Sequence, residues 1–196
     1  MSPKSAEQFN DIRTQKKELI LNVALELFAE NGFHATSISQ IAKKAKISKG
    51  LTYNYFESKR DILDEIIKKG FNSIYSDFDL NNDGVLSEDE FRHFVKHSFD
   101  IMRENTEFWK LYFSLMFQPK VTESFQHDYS ESTQKIFKMF YQFIINSGSK
   151  DPESDLLVIS SLLKGAYITG VTAPKIFTRE KLDDKVIDAC FKILKK

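Results

Sequence analysis

Apolar positions recur at helical spacing along most of this chain. Ile20, Val23, Ala24, Leu27 and Phe28 follow the i, i+3, i+4, i+7, i+8 pattern of one buried helical face. That run begins near Lys16. Asn31-Gly32 closes it, because glycine takes the left-handed conformation past a helix end at little cost. Residues 1–14 are polar and aperiodic and predict a flexible arm. Thr36 or Ser37 caps a short second helix through Ala45, Lys46-Ile47-Ser48 makes a tight turn, and Ser48 caps a third helix with Tyr53 and Phe56 in its body. A fourth helix, about Ser58 to Phe78, carries Ile62, Ile66, Ile67, Phe71, Ile74 and Tyr75 on or near one face. Ser87 caps a fifth, ending near Arg103. Asn105-Thr106 opens an aromatic-rich sixth that Pro119 stops, and later helices span about 124–146, 153–172 and 179–195. No strand pattern or internal repeat interrupts them. The predicted fold is all-α, with about nine helices.

Composition agrees. Eighteen phenylalanines with only seven glycines and four prolines favour helices joined by short turns over an all-β chain. No apolar run reaches the roughly 18–20 residues of a membrane span, and no signal peptide opens the chain. The single Cys190 cannot form an internal disulfide and sits among apolar neighbours. A soluble cytoplasmic protein with no membrane partner is expected. The net charge is zero, yet residues 1–60 hold ten Lys/Arg against six Asp/Glu, so the basic end is where a polyanion would bind. Four scattered histidines, one cysteine and no phosphate loop supply no catalytic constellation, and an enzyme is not expected.

Two short helices joined by a three- to four-residue turn make a helix-turn-helix, whose second helix enters the major groove of DNA. In TSISQIAKKAKISKGLTYNYFESKRDIL, Ile38, Ile41 and Ala42 point inward and Ile47 anchors the turn. Phe28, Gly32, Thr36, the Ile41-Ala42 pair, Ser48-Lys49-Gly50, the Tyr53-x-Tyr55-Phe56 run and Lys59 together resemble the DNA-binding domain of the tetracycline-repressor (TetR) family of transcriptional regulators. The resemblance runs from about Lys17 to Leu63. It implies a DNA-binding domain over 1–60 and an effector-binding and dimerisation domain over 61–196. It also implies a nucleoid-associated homodimer on a near-palindromic double-stranded operator, mostly repressing, released by a small molecule. Carried over, Lys49 and Gly50 would lie near base edges, and Tyr53, Asn54 and Tyr55 would meet phosphates and bases. Lys59 would hold a phosphate, and Thr36, Ser37 and Gln40 would touch the DNA backbone. Leu51 and Asn54 depart from the family's usual small polar residue and aromatic at those positions.

The stretch DLNNDGVLSEDE fits two descriptions. A calcium loop of the EF-hand type needs oxygen ligands at positions 1, 3, 5, 7, 9 and 12 and a glycine at 6. Asp79, Asn81, Asp83, Val85 through its carbonyl, Ser87 and Glu90 fill those positions, with Gly84 at the sixth. A capped turn explains most of it without metal: Asn82-Asp83-Gly84 is turn chemistry, and Ser87 with Glu90 is a capping box. No second loop pairs with it, so calcium affinity would be weak and a calcium-responsive regulator is the alternative function. His93 and His97, one turn apart with Glu90 on their face, are a candidate zinc trio.

The resemblance also implies a cavity in the larger domain. Phe94, Phe99, Met102, Trp109, Tyr112, Phe113, Met116, Phe137, Phe140 and Tyr141 are its candidate lining, suited to a hydrophobic aromatic or acyl effector. No cofactor is required by the sequence; Ca2+ and this effector are the candidate ligands. Small residues Ser160, Ser161, Gly165, Ala166 and Gly170, with Leu162, Leu163, Ile168 and Val171, predict a face that pairs two copies of the chain.

Overall fold

A computed structural model describes residues 6–119, 121, 130–175 and 179–195, and contains no strand among them. Nine helices have defined bounds: α1 (Ala6–Asn31), α2 (Ile38–Lys44), α3 (Lys49–Tyr53), α4 (Lys59–Tyr75), α5 (Glu88–Glu104), α6 (Thr106–Met116), α7 (Ser130–Asn146), α8 (Pro152–Thr172) and α9 (Arg179–Leu194). The predicted order of helices holds. The expected start of the seventh helix near Ser124, and residues 1–5 of the expected arm, lie outside the described residues.

Three differences from expectation have physical causes. First, α1 starts at Ala6, so residues 6–14 are helix and not a flexible arm. Their polar pattern carries no buried face, but Glu, Gln and Arg are good helix formers, and extending a helix costs far less than nucleating one. Second, α3 ends at Tyr53, so Phe56 lies beyond it; the ring is still only 2% exposed. Third, α8 is by length and composition apolar enough to cross a membrane. It packs instead on α5, α7 and α9, burying Leu156, Ile159, Leu163, Ala166, Tyr167 and Val171.

The chain divides into two compact units whose boundary falls within α4 and within α6. One holds the residues through Gly70 together with 111–122, and the other holds 71–110 and the residues from 123 onward. In the first, Ile20, Phe28, Ile41, Phe56, Ile62, Leu63 and Ile67 form a core at most 2% exposed. The segment from Leu111 joins it through Leu115, fully buried, and Tyr112, whose hydroxyl donates to the Ile67 carbonyl at 3.3 Å. Gly70 makes this approach feasible: a Cβ there would stand 2.2 Å from the Tyr112 ring. In the second unit Phe91 is the hub, with ring centroids 5.1 Å from Phe143, 5.6 Å from Phe140 and 5.7 Å from Phe191. Arg103 on α5 grips Asp183 on α9 through two hydrogen bonds of 3.0 and 2.8 Å. Such a planar fork on a buried carboxylate fixes direction as well as distance.

Gly70→Ala is expected to lower unfolding free energy by about 1–3 kcal/mol, the usual cost of overpacking a core. Adding Tyr112→Ala removes the clash, so the two costs measured by urea unfolding should be clearly less than additive.

Candidate functional site

The link between α1 and α2 sets the geometry of the basic end. Gly32 ends α1 at φ +85°, and its N–H bonds the Phe28 carbonyl at 3.0 Å. Beyond it the chain cannot satisfy its own backbone, and three side chains do so. Thr36, 2% exposed, turns its hydroxyl to the carbonyls of Gly32 (3.0 Å) and Leu27 (3.2 Å). The Lys59 ammonium donates to the carbonyls of Phe33 (2.6 Å), Thr36 (2.7 Å) and His34 (3.3 Å), and lies 4.4 Å from the centre of the Phe33 ring. Burial pushes its pKa down. Gln118 accepts from the Phe33 N–H at 3.0 Å and donates to the Phe28 carbonyl at 2.8 Å. The side chains of Thr36 and Lys59, expected at DNA, are therefore turned to the protein's own backbone. No sequence pattern announced Gln118, which lies 85 residues from Phe33.

Ser37, one of the two expected caps, caps α2, and it does so in a capping box. It accepts from the Gln40 N–H, and the Gln40 carboxamide oxygen accepts from the Ser37 N–H at 2.7 Å. Both residues stay exposed. Past α2, Lys46 sits at φ +55°. Its N–H bonds the Lys43 carbonyl at 3.2 Å, and the Ile47 N–H bonds the Ala42 carbonyl at 3.0 Å. This is the paired-bond ending that normally takes glycine at the left-handed position. Ser48 then caps α3 by accepting from the Leu51 N–H at 3.0 Å. The helix anchors through Thr52, fully buried, and presents Lys49, Gly50, Tyr53 and, at its end, Asn54 outward; Tyr55 is half-buried. Lys49 lies 6.0 Å from the Tyr53 ring centre, one turn on.

Two lysines outside the expected contact set are also exposed. Lys43 and Lys46 join Lys49 at three-residue intervals through the turn. Lys44, between them, is committed to Glu26 (2.7 Å) and Glu30 (3.7 Å) on α1. The spacing KKAKISK carried the signal, but only the fold shows which of these exposed lysines is ion-paired.

The 79–90 loop is closed by its own side chains. Asp79 accepts from the Gly84 N–H (3.2 Å), Asn81 from the Asp83 N–H (3.0 Å) and Asp83 from the Val85 N–H (2.7 Å). Glu90, 8% exposed, ties both ends: one oxygen accepts from the Leu80 N–H (3.2 Å), the other from the Ser87 N–H (2.9 Å) and hydroxyl (2.7 Å). These bonds, the Ser87 backbone foremost, hold its carboxyl below the usual range. Lys135 stands 3.7 Å from Asp79. Leu86 is buried within the chain. Glu90 is also absent from the expected zinc trio. Asp77 takes its place beside His93 and His97, and a hydrogen bond with His93 lowers the Asp77 pKa.

A cavity of about 380 Å³ in the second unit is lined by Phe71, Asn72, Tyr75, Ser76, Lys135 and Ile136. None of the ten expected lining residues is among them. Phe94, Phe99, Met102, Trp109 and Phe140 are core, each at most 8% exposed; Phe137 is 57% exposed and Tyr141 half-buried. Tyr112, Phe113 and Met116 belong to the first unit, Tyr112 buried and the other two half-buried. Close packing sets most of these aromatics against one another.

Residues 20–66 match the family described as "Bacterial regulatory proteins, tetR family". An uncharacterised HTH-type transcriptional regulator, YuxN of Bacillus subtilis, is 51% identical over 49 residues, which cover 25% of this chain and 17% of that protein. This chain spans well under two thirds of the curated relatives it matches. The likeness in fold extends much further. A TetR-like transcriptional regulator from Rhodococcus sp. RHA1 superposes with a TM-score of 0.72 at 20% identity, covering 92% of this chain and 96% of that one. FadR of Bacillus subtilis, solved in complex with stearoyl-CoA, superposes with a TM-score of 0.68 at 17% identity, covering 90% and 98%.

Two substitutions check this geometry. Lys46→Gly removes a side chain from a left-handed position and should stabilise the fold by about 1 kcal/mol. Glu90 has a folded pKa below its ordinary 4.5, so its stabilisation is present above pH 4.5 and is lost as pH falls through the lowered value. Urea unfolding at pH 6 and pH 3 should show Glu90→Gln removing about 1 kcal/mol of the difference.

Proposed function

We propose that this chain, whose residues 20–66 are a TetR-family domain within the fold of TetR-family regulators, is a bacterial cytoplasmic transcription regulator. It binds a near-palindromic operator as a homodimer, represses, and is released by a small hydrophobic effector. The observation that carries this is the outward face of α3. Lys49, Gly50, Tyr53 and Asn54 have no role in the core, while everything behind them is fixed by caps, Thr36 and Lys59. Lys43 and Lys46 extend the same surface with charge for phosphates.

Dimerisation finds support on α8. Leu157 is 68% and Val158 50% exposed, and Gly165 leaves open space around its Cα. Leu163, Ala166 and Val171, expected on this face, are buried within the chain. An isologous contact would cover the exposed residues. The effector reading rests on the 380 Å³ cavity, whose apolar wall of Phe71, Tyr75 and Ile136 ends at Lys135. That lining suits a short acyl or aromatic acid, whose carboxylate would compete with Asp79 for the Lys135 ammonium.

Calcium is the second reading of the 79–90 loop. What favours it is that Asp79, Asn81 and Asp83 all fold inward onto the N–H groups of the loop they would share with an ion. Millimolar Ca2+, but not Mg2+, should then raise the melting temperature, and Asp79→Ala should abolish the rise. No shift in the wild type would leave the loop a capped turn.

DNA recognition is tested by selecting duplexes from a randomised library. The recovered sequences should share an inverted repeat. Lys49→Ala and Tyr53→Ala should each weaken binding to it, and Lys49→Ala should reduce the slope of log affinity against log salt by about one. Absence of enrichment, or wild-type affinity in both variants, contradicts the proposal.

A further inference from the structure

We propose that Asp77, His93 and His97 form a binding site for a divalent transition-metal ion, with zinc the best fit. The site does not depend on the regulatory reading above. His93 and His97 are one turn apart on α5, so their rings stack with centroids 5.9 Å apart and planes within 7°. Both point their Nε2 atoms at one oxygen: Asp77 Oδ2 lies 3.0 Å from His93 Nε2 and 3.7 Å from His97 Nε2. All three residues offer ligand atoms within 4.8 Å of one another. Zinc binds imidazole nitrogen and carboxylate oxygen at about 2.0–2.1 Å, so two ligands in a tetrahedral shell stand roughly 3.3 Å apart. The two observed separations bracket that value.

An ordinary Asp–His hydrogen bond accounts for one imidazole, not two. A second ring stacked parallel and aimed at the same oxygen gains little from a carboxylate already bonded. If both rings were protonated, two like charges would share one counter-charge. A cation between the three groups satisfies all of them, and it requires both imidazoles neutral and the carboxylate ionised.

The scaffold is built for position. Asp77 follows α4 in a turn whose N–H groups are engaged: Ser76 bonds the Asn72 carbonyl at 2.8 Å and Phe78 the Tyr75 carbonyl at 3.3 Å. Phe78, next in sequence, is 2% exposed and meets Phe94 edge-on with centroids 4.9 Å apart. Phe94 in turn adjoins His93. The ligands are thus held by packed neighbours on both sides, which limits the reorganisation that binding requires. Side-chain exposures of 29% for Asp77, 48% for His93 and 30% for His97 leave an open flank for a water as fourth ligand. Two nitrogens and one oxygen select zinc, or cobalt and nickel in its place, over calcium and magnesium, which take oxygen shells. The neighbouring 79–90 loop, with oxygen donors only, is a chemically separate matter.

The test uses untagged, metal-free protein titrated with Zn2+ against a chromophoric chelator, with calorimetry for stoichiometry. One ion per chain is expected. His93→Ala and His97→Ala should each weaken affinity at least about tenfold, and Asp77→Asn should weaken it measurably. Glu88→Gln, exposed at the start of the same helix, should leave it unchanged. Co2+ should give the visible absorption of a tetrahedral site in the wild type and lose it in His93→Ala. These side chains are partly exposed, so circular dichroism without metal should be unaltered by substitution. Absence of zinc binding in the wild type overturns the proposal, as does equal binding by the His93→Ala/His97→Ala double variant.

Discussion

The link from Gly32 to Ser37 must satisfy backbone groups that no helix serves, and the basic end of the molecule depends on how it does so. An unpaired carbonyl in a packed corner costs about as much as a lost hydrogen bond. Lys59 alone serves three of them, Thr36 reaches back to the end of α1, and Gln118 arrives from the far side of the sequence. With this corner locked, the direction in which α2 leaves α1 is set. The Lys46 turn and the buried Thr52 then determine which face of α3 looks outward.

A division of labour among similar residues follows. Lys44 and Lys59 are both basic and both in the helix-turn-helix region, and both are committed to the protein itself. Lys43, Lys46 and Lys49 are exposed and available to a polyanion. The same contrast recurs in the second unit. Glu90 uses both carboxylate oxygens to close its loop, whereas Asp77 presents an oxygen to two imidazoles at once. In each case the chemistry of the side chain is less informative than what already occupies it.

Local signals were legible in the sequence because their causes are local. Ser37, Ser48 and Ser87 cap where their hydroxyls reach the third N–H onward, and Gly32 ends a helix where a positive φ is needed. The order of helices came from the same source. What was not legible depends on tertiary proximity. Nothing near Thr36 or Lys59 says that Leu27 and Phe33 will present carbonyls to them. Periodicity identifies buried faces but not where they leave an opening, so it does not announce the groove at Phe71, Tyr75 and Ile136. The pairing of Asp77 with His93, 16 residues on, required the packing of Phe78 against Phe94.

The proposed function requires DNA to meet the protein on the outward face running from Lys43 to Tyr55. Mapping amide chemical-shift changes in labelled protein as a selected duplex is added tests it most directly. The largest changes are expected at Lys46, Lys49, Gly50, Tyr53 and Asn54. Changes concentrated elsewhere, with α3 unperturbed, would contradict it.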